Sequence, residues 1–139
     1  MAEIATYVTG ALAELASGST WLWILIGTFM GIIVGAIPGF TSSMATGILL
    51  PVTFALSPVN ALVFLISVYI ATIYGGSITA ILLNTPGAPE SSASTFDGYK
   101  MTLKGQGCEA LGIAFCSSAC GGLISYIFMI FAMMPIARL

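Results

Sequence analysis

Apolar residues fall along this chain in long runs with helical periodicity, and the polar residues that interrupt them are clustered. No charged side chain occurs between Glu14 and Glu90. A membrane-crossing helix needs about 20 apolar residues, so that interval holds roughly two or three crossings or re-entrant pieces. The first is predicted from Trp21 to Ile37, with Trp21 and Trp23 at the depth indoles prefer. A shorter apolar run, Met44 to Leu50, reads as a half-helix. Residues 59–73, opened by Pro58, predict a second full helix. Ala110 to Pro135 predicts the last one, with small residues in its first half to pack on protein and bulky ones in its second half to meet lipid. Ahead of all of them, residues 1–20 set Ile4, Tyr7, Val8, Ala11, Leu12 and Leu15 at helical spacing, which predicts an amphipathic helix in the interface or on the bundle.

The interruptions carry most of the information. In the first apolar run Gly27, Gly31, Gly35 and then Gly39 recur every four residues. Such a stripe lets another backbone approach closely in a solvent that gives helices no hydrophobic reason to associate. Pro38-Gly39 then ends the helix, and Phe40-Thr41-Ser42-Ser43 forms a polar break. A second interruption spans Tyr74 to Gly87, where Gly75-Gly76 weakens the helix and Ser77 to Leu83 is expected as a further short helical piece ending at Asn84-Thr85-Pro86-Gly87. The two breaks share a Pro-Gly followed by serines, with their prolines 48 residues apart, and read as a weak internal repeat. Irregular backbone survives at membrane depth only where protein buries it or a wet cavity adjoins it. Paired Gly/Pro-interrupted segments therefore point to a solute site. The donors on offer are backbone N–H groups at helix starts and the polar groups of Ser42, Ser43, Ser77, Thr79, Asn84 and Thr85, with freed backbone groups at the tip that ends in Gly87. Residues 84–109 are the one long polar stretch and are expected as a loop or extramembrane hairpin; its Lys100 and Lys104 favour a cytoplasmic side.

Composition narrows the class. With 58% hydrophobic and 6% charged residues the chain is neither a soluble domain nor a disordered one. A net charge of −2 from scattered groups offers no footprint for nucleic acid. There is no histidine, and Cys108, Cys116 and Cys120 form no CxxC, so neither a Cys/His metal site nor a Cys–His nucleophile can be built. Without a GxSxG or HExxH pattern either, an enzyme is not expected. The fold class that follows is an all-α integral membrane protein whose transmembrane helices include Gly/Pro-broken or re-entrant half-helices, forming part of a larger transporter fold.

With these residues in view, the chain from Trp21 onward resembles the N-terminal portion of the large membrane subunit of the tripartite tricarboxylate transporters, the TctA-type permeases. The resemblance is carried by Gly27-x3-Gly31-x3-Gly35-x2-Pro38-Gly39, Leu49-Leu50-Pro51, Tyr74-Gly75-Gly76-Ser77-Ile78-Thr79-Ala80-Ile81-Leu82-Leu83-Asn84-Thr85-Pro86-Gly87, and Asp97-Gly98-Tyr99 with Lys104-Gly105. It implies a multi-pass permease of the bacterial inner membrane that imports carboxylates by symport with Na⁺ or H⁺ and needs no organic cofactor. It further implies a small membrane subunit and a periplasmic solute-binding protein as partners, and is compatible with a homo-oligomer. The competing reading is a non-transporting assembly or scaffold subunit, or an inactive fragment of such a permease, in which the glycines serve helix packing alone.

Overall fold

Two long helices pressed together backbone to backbone set the architecture. The computed structural model describes residues 9–10 and 18–136, with side chains through Ala132. Its elements are α1 (Gly18–Gly35), α2 (Ser42–Thr53), α3 (Pro58–Leu83), a single 3₁₀ turn (Pro89–Ser91), α4 (Ser92–Leu103) and α5 (Gly107–Ile136). No strand occurs among the described residues. Three of these helices, α1, α3 and α5, are long and apolar enough to cross a membrane. The amphipathic helix expected over residues 1–20 lies largely outside the described residues, and α1 already begins at Gly18.

The α1–α3 seam follows directly from the glycine ladder. A Cβ at Gly27 would stand 2.9 Å from the Phe64 carbonyl oxygen, and one at Gly31 would stand 2.6 Å from that of Val68. At Gly35 it would run into the Thr72 carbonyl. The rungs advance in the same direction on both helices, so α1 and α3 are parallel. Close approach lets many weak dispersion contacts form at once, and it brings Cα–H groups near carbonyl oxygens. Gly39 is not a fourth rung, contrary to the periodicity: its φ is +86° and a Cβ there would meet nothing within 4 Å. It shapes the turn between α1 and α2, where an L side chain is strained.

A return path between two parallel helices is required, and α2 supplies most of it. Its 12 residues span about 18 Å, short of a crossing, and it is the half-helix expected from the apolar run. It extends through Pro51 to Thr53. Thr41 caps its start, the Oγ1 accepting from the Met44 N–H at 3.3 Å. Ala45 and Leu49 of α2 join Phe64 and Val68 of α3 in a small buried cluster, onto which Trp23 packs edge-on to Phe64 at 5.9 Å. Outside that cluster large side chains such as Leu25, Phe29, Phe128 and Phe131 are exposed, as suits helices solvated by hydrocarbon.

Two expectations are corrected along α3 and after it. The helix is not broken at Gly75-Gly76: it runs without interruption for 26 residues from Pro58 to Leu83. Hydrocarbon leaves a helix no outside partners for freed backbone groups, which favours keeping the ladder intact. The two glycines instead accept close neighbours, Gly75 the Ile32 carbonyl of α1 and Gly76 the backbone of Gly87 and Ala88. Of the two alternatives for the polar stretch 84–109, the loop gives way to a 3₁₀ turn and α4, which meets the start of α5 in a helical hairpin. Its serines and threonines are weak helix formers; docking compensates, since Gly98 sits on the Ile81 side chain and the Thr102 hydroxyl donates to the Ile81 carbonyl at 2.8 Å.

A third correction concerns α5. Its first half packs on the rest of this chain only near its start: Gly107 and Ala110 are buried, but beyond Ala110 no described residue is, and Gly112, Gly121 and Gly122 face open space. It runs antiparallel to α3 and touches it through Gly107 near Leu82 and through the rings of Phe115 and Tyr74, 5.3 Å apart.

Candidate functional site

The two Pro-Gly segments meet. After Leu83 the chain reverses at Asn84, whose φ of 57° and ψ of 23° put it in the left-handed region that asparagine tolerates. The following residues fold back along α3 until Gly87 lies against Gly76, seven residues before the helix end, or roughly 10 Å along the axis. A Cβ on Gly87 would stand 2.8 Å from the Gly76 Cα and 2.7 Å from the Gly35 carbonyl oxygen. Gly35, Gly75, Gly76 and Gly87 thus form a knot in which the end of α1, the body of α3 and the returning segment touch through backbone.

Beside this knot opens a cleft of about 370 Å³ lined by Gly39, Thr41, Pro86, Gly87, Ala88, Pro89 and Ser92. It takes residues from both Pro-Gly breaks, which a weak internal repeat had suggested but could not bring together. The cap at Thr41 opens α2 on one side, and the Pro89 turn leads into α4 at Ser92 on the other. The first N–H groups of a helix lack acceptors inside it, and those of Ser42 and Ser43 belong to this set on α2. The Met44 N–H is taken by Thr41 and the Ala45 N–H by the Thr41 carbonyl. Across the cleft the Ser91 hydroxyl is committed to the turn itself, donating to the Ala88 carbonyl at 2.7 Å. The lining contains no charged side chain; Glu90, beside Pro89, is exposed.

The residues singled out in the sequence divide around this cleft. Gly87 lines it. Ser42 is buried and Ser43 exposed at the adjoining start of α2. Thr79 is buried behind the knot, its hydroxyl donating to the Gly76 carbonyl at 3.1 Å. Asn84 and Thr85 are exposed at the reversal that leads into the cleft and are not part of its lining. Ser77 stands apart on α3, its hydroxyl returned to the Ile73 carbonyl at 3.1 Å. Sequence reasoning missed Thr41 and Ser92. A hydroxyl residue just after Pro-Gly and just before a helical run was a capping signal for Thr41, while nothing in the serine-rich run distinguished Ser92. Among the described residues no group of acidic, cysteine or histidine side chains could hold a metal, and Cys108, Cys116 and Cys120 are free and exposed.

Three apolar spans, a short half-helix between parallel partners and a polar turn folded back on a glycine knot define a helical membrane protein. The chain belongs to the tripartite tricarboxylate transporter TctA family, whose model matches residues 21–139. It is 38% identical over 116 residues to a protein of Agrobacterium vitis described as an uncharacterized 52.8 kDa protein in the TAR-I ttuC' 3' region. That match takes in 84% of this chain and 23% of the relative's length. No solved structure matches the chain.

Proposed function

We propose that this chain supplies part of the permease of a tripartite carboxylate transport system in the bacterial inner membrane, and that the carboxylate group is held at the cleft between the two Pro-Gly segments. The observation that carries the reading is the convergence of those segments on one cleft beside a helix start. A helix start offers N–H groups and the positive end of its dipole, which suit a carboxylate without a lysine or arginine in the membrane. Carbonyl groups at the nearby end of α1 suit a coupling Na⁺; H⁺ is the other coupling ion the family suggests. In this reading a small membrane subunit and a periplasmic binding protein deliver the substrate, and import is secondary active. Ser42 and Ser43 contribute donors, Gly87 lets the returning segment lie on α3 so that its backbone lines the cleft, and Asn84 and Thr85 stand at the cleft's approach.

A scaffold role is the second reading, and a specific observation favours it. Gly35, Gly75, Gly76 and Gly87 are all accounted for by backbone packing, which needs no solute. Uptake of radiolabelled carboxylate by the complete permease separates the two. Asn84→Gly keeps the left-handed turn, and Thr85→Val and Ser92→Ala keep shape. Removing one hydrogen bond to a charged partner costs about 1.5–3 kcal/mol, roughly ten- to 150-fold in affinity. The expected outcome is a higher concentration of substrate or coupling ion for half-maximal uptake at unchanged membrane expression, with Ser94→Ala unaffected. Normal uptake in all three variants would leave the scaffold reading in place.

A further inference from the structure

Both lysines of the chain stand on the face that α4 turns away from α3. Ala93, Phe96, Asp97, Lys100, Leu103 and Lys104 are all exposed and follow one another at helical spacing, so they form one stripe along the helix. Phe96 and Leu103 are 71% and 70% exposed, although both are large apolar side chains. The opposite face is taken up by the protein: Gly98 meets the Ile81 side chain and the Thr102 hydroxyl donates to the Ile81 carbonyl. Neither lysine has an ion-pair partner among the described residues, although Asp97 lies one turn before Lys100. Glu90 and Glu109 are exposed on the neighbouring 3₁₀ turn and on the first turn of α5, off this stripe.

The position of α4 limits what this stripe can meet. Span α3 has 26 residues, about 39 Å, against a hydrocarbon core of about 30 Å, so its last turn stands in a headgroup layer. Span α5 starts at the same level, with Gly107 against Leu82. Docked on Ile81 and joined to α5 by Lys104, Gly105 and Gln106 alone, α4 is tied to the place where both spans leave the hydrocarbon. We propose that α4 is an interfacial helix whose exposed stripe binds phospholipid, with Phe96 and Leu103 entering the glycerol and upper acyl region and Lys100 and Lys104 pairing with lipid phosphates. Water alone would leave two large apolar side chains hydrated. A transmembrane helix laid on this face would strand two ammonium groups in a medium of low dielectric. The headgroup layer satisfies both kinds of residue, because a lysine stem lies along apolar groups while its charge reaches phosphate. The proposal is independent of the carboxylate reading.

The test uses the complete permease in a cysteine-free background, reconstituted in vesicles of phosphatidylethanolamine and phosphatidylglycerol. A nitroxide is attached at Phe96→Cys or at Leu103→Cys, and its collisions with oxygen and with a water-soluble nickel chelate are read by electron paramagnetic resonance. The expected result at both positions is a label open to oxygen but shielded from nickel, relative to free nitroxide in buffer. With Lys100→Gln and Lys104→Gln added, the label at position 103 should become more accessible to nickel, whereas Lys100→Arg and Lys104→Arg should keep it shielded. Free access of nickel at both positions would place the stripe in water, and exclusion of both reagents would place it under another protein segment or subunit; either result overturns the proposal. No change in the glutamine variant, or the same change in the arginine variant, overturns the pairing with phosphate.

Discussion

Replacing Gly31 with alanine adds one methyl group where the helices leave no room for it. The new Cβ would lie 2.6 Å from the Val68 carbonyl oxygen, 2.7 Å from the Ala71 Cβ and 3.1 Å from the Val68 Cα. Two of those atoms are backbone, so no side-chain rotation relieves the clash. Contacts of this kind are comfortable at about 3.5–4.0 Å, and α1 must move off α3 by roughly 1 Å. A radial gap of that size forfeits about a quarter to a half of each dispersion contact, and the loss extends to the rungs at Gly27 and Gly35 because a rigid helix moves as a whole. Overpacking of this type costs about 1–3 kcal/mol. In water the change would recover about 1 kcal/mol of helix propensity. In a membrane the separated helices remain helical, and that gain cancels between the two states. The expected net effect is therefore a roughly five- to 150-fold shift toward unfolding. It is measured by titrating the purified protein in mixed micelles with sodium dodecyl sulfate and following Trp23, edge-on to Phe64 at 5.9 Å, with Trp21 replaced by phenylalanine. Gly47→Ala is the reference, since a Cβ there meets nothing within 4 Å. If Gly31→Ala unfolds at the same detergent fraction as Gly47→Ala, the seam is not close-packed and the argument for the α1–α3 pair fails.

Two more outcomes follow from single positions. Gly39→Ala meets open space but must hold φ near +86°, so it should cost about 1–2 kcal/mol in the same titration, and Gly39→Asn should recover part of that loss; equal stability of the alanine variant and the parent would refute the turn assignment. Leu103 is 70% exposed on α4, beside Lys104 and one turn from Lys100, so Leu103→Cys in a background lacking the three native cysteines should resist a membrane-impermeant thiol reagent added outside intact cells; prompt labelling would place α4 on the outer side.

Much of this architecture is local and was therefore readable from the chain alone. Span length and an absence of charge define membrane helices wherever they occur, and the four-residue glycine period marks a face whatever covers it. A Pro-Gly pair ends a helix by its own backbone preferences. For these reasons the α1 span, the half-helix α2 and the packing role of Gly27, Gly31 and Gly35 agree with the pattern. What needed the tertiary structure depends on partners distant in sequence. Gly75-Gly76 looks like a helix break, yet α3 continues through it because Ile32 and Gly87 arrive from outside to occupy the space the missing side chains leave. The serine-rich stretch looks like a loop, yet α4 forms because Thr102 and Gly98 dock on Ile81. Gly39 continues the ladder's spacing, yet the helix ends at Gly35 and the face it would have extended no longer exists there. The same holds for the cleft: the chain carries two similar Pro-Gly segments, but only the left-handed turn at Asn84 and the close approach of Gly87 to Gly76 bring them together. Periodicity records which residues can share a face, and only packing decides what that face meets.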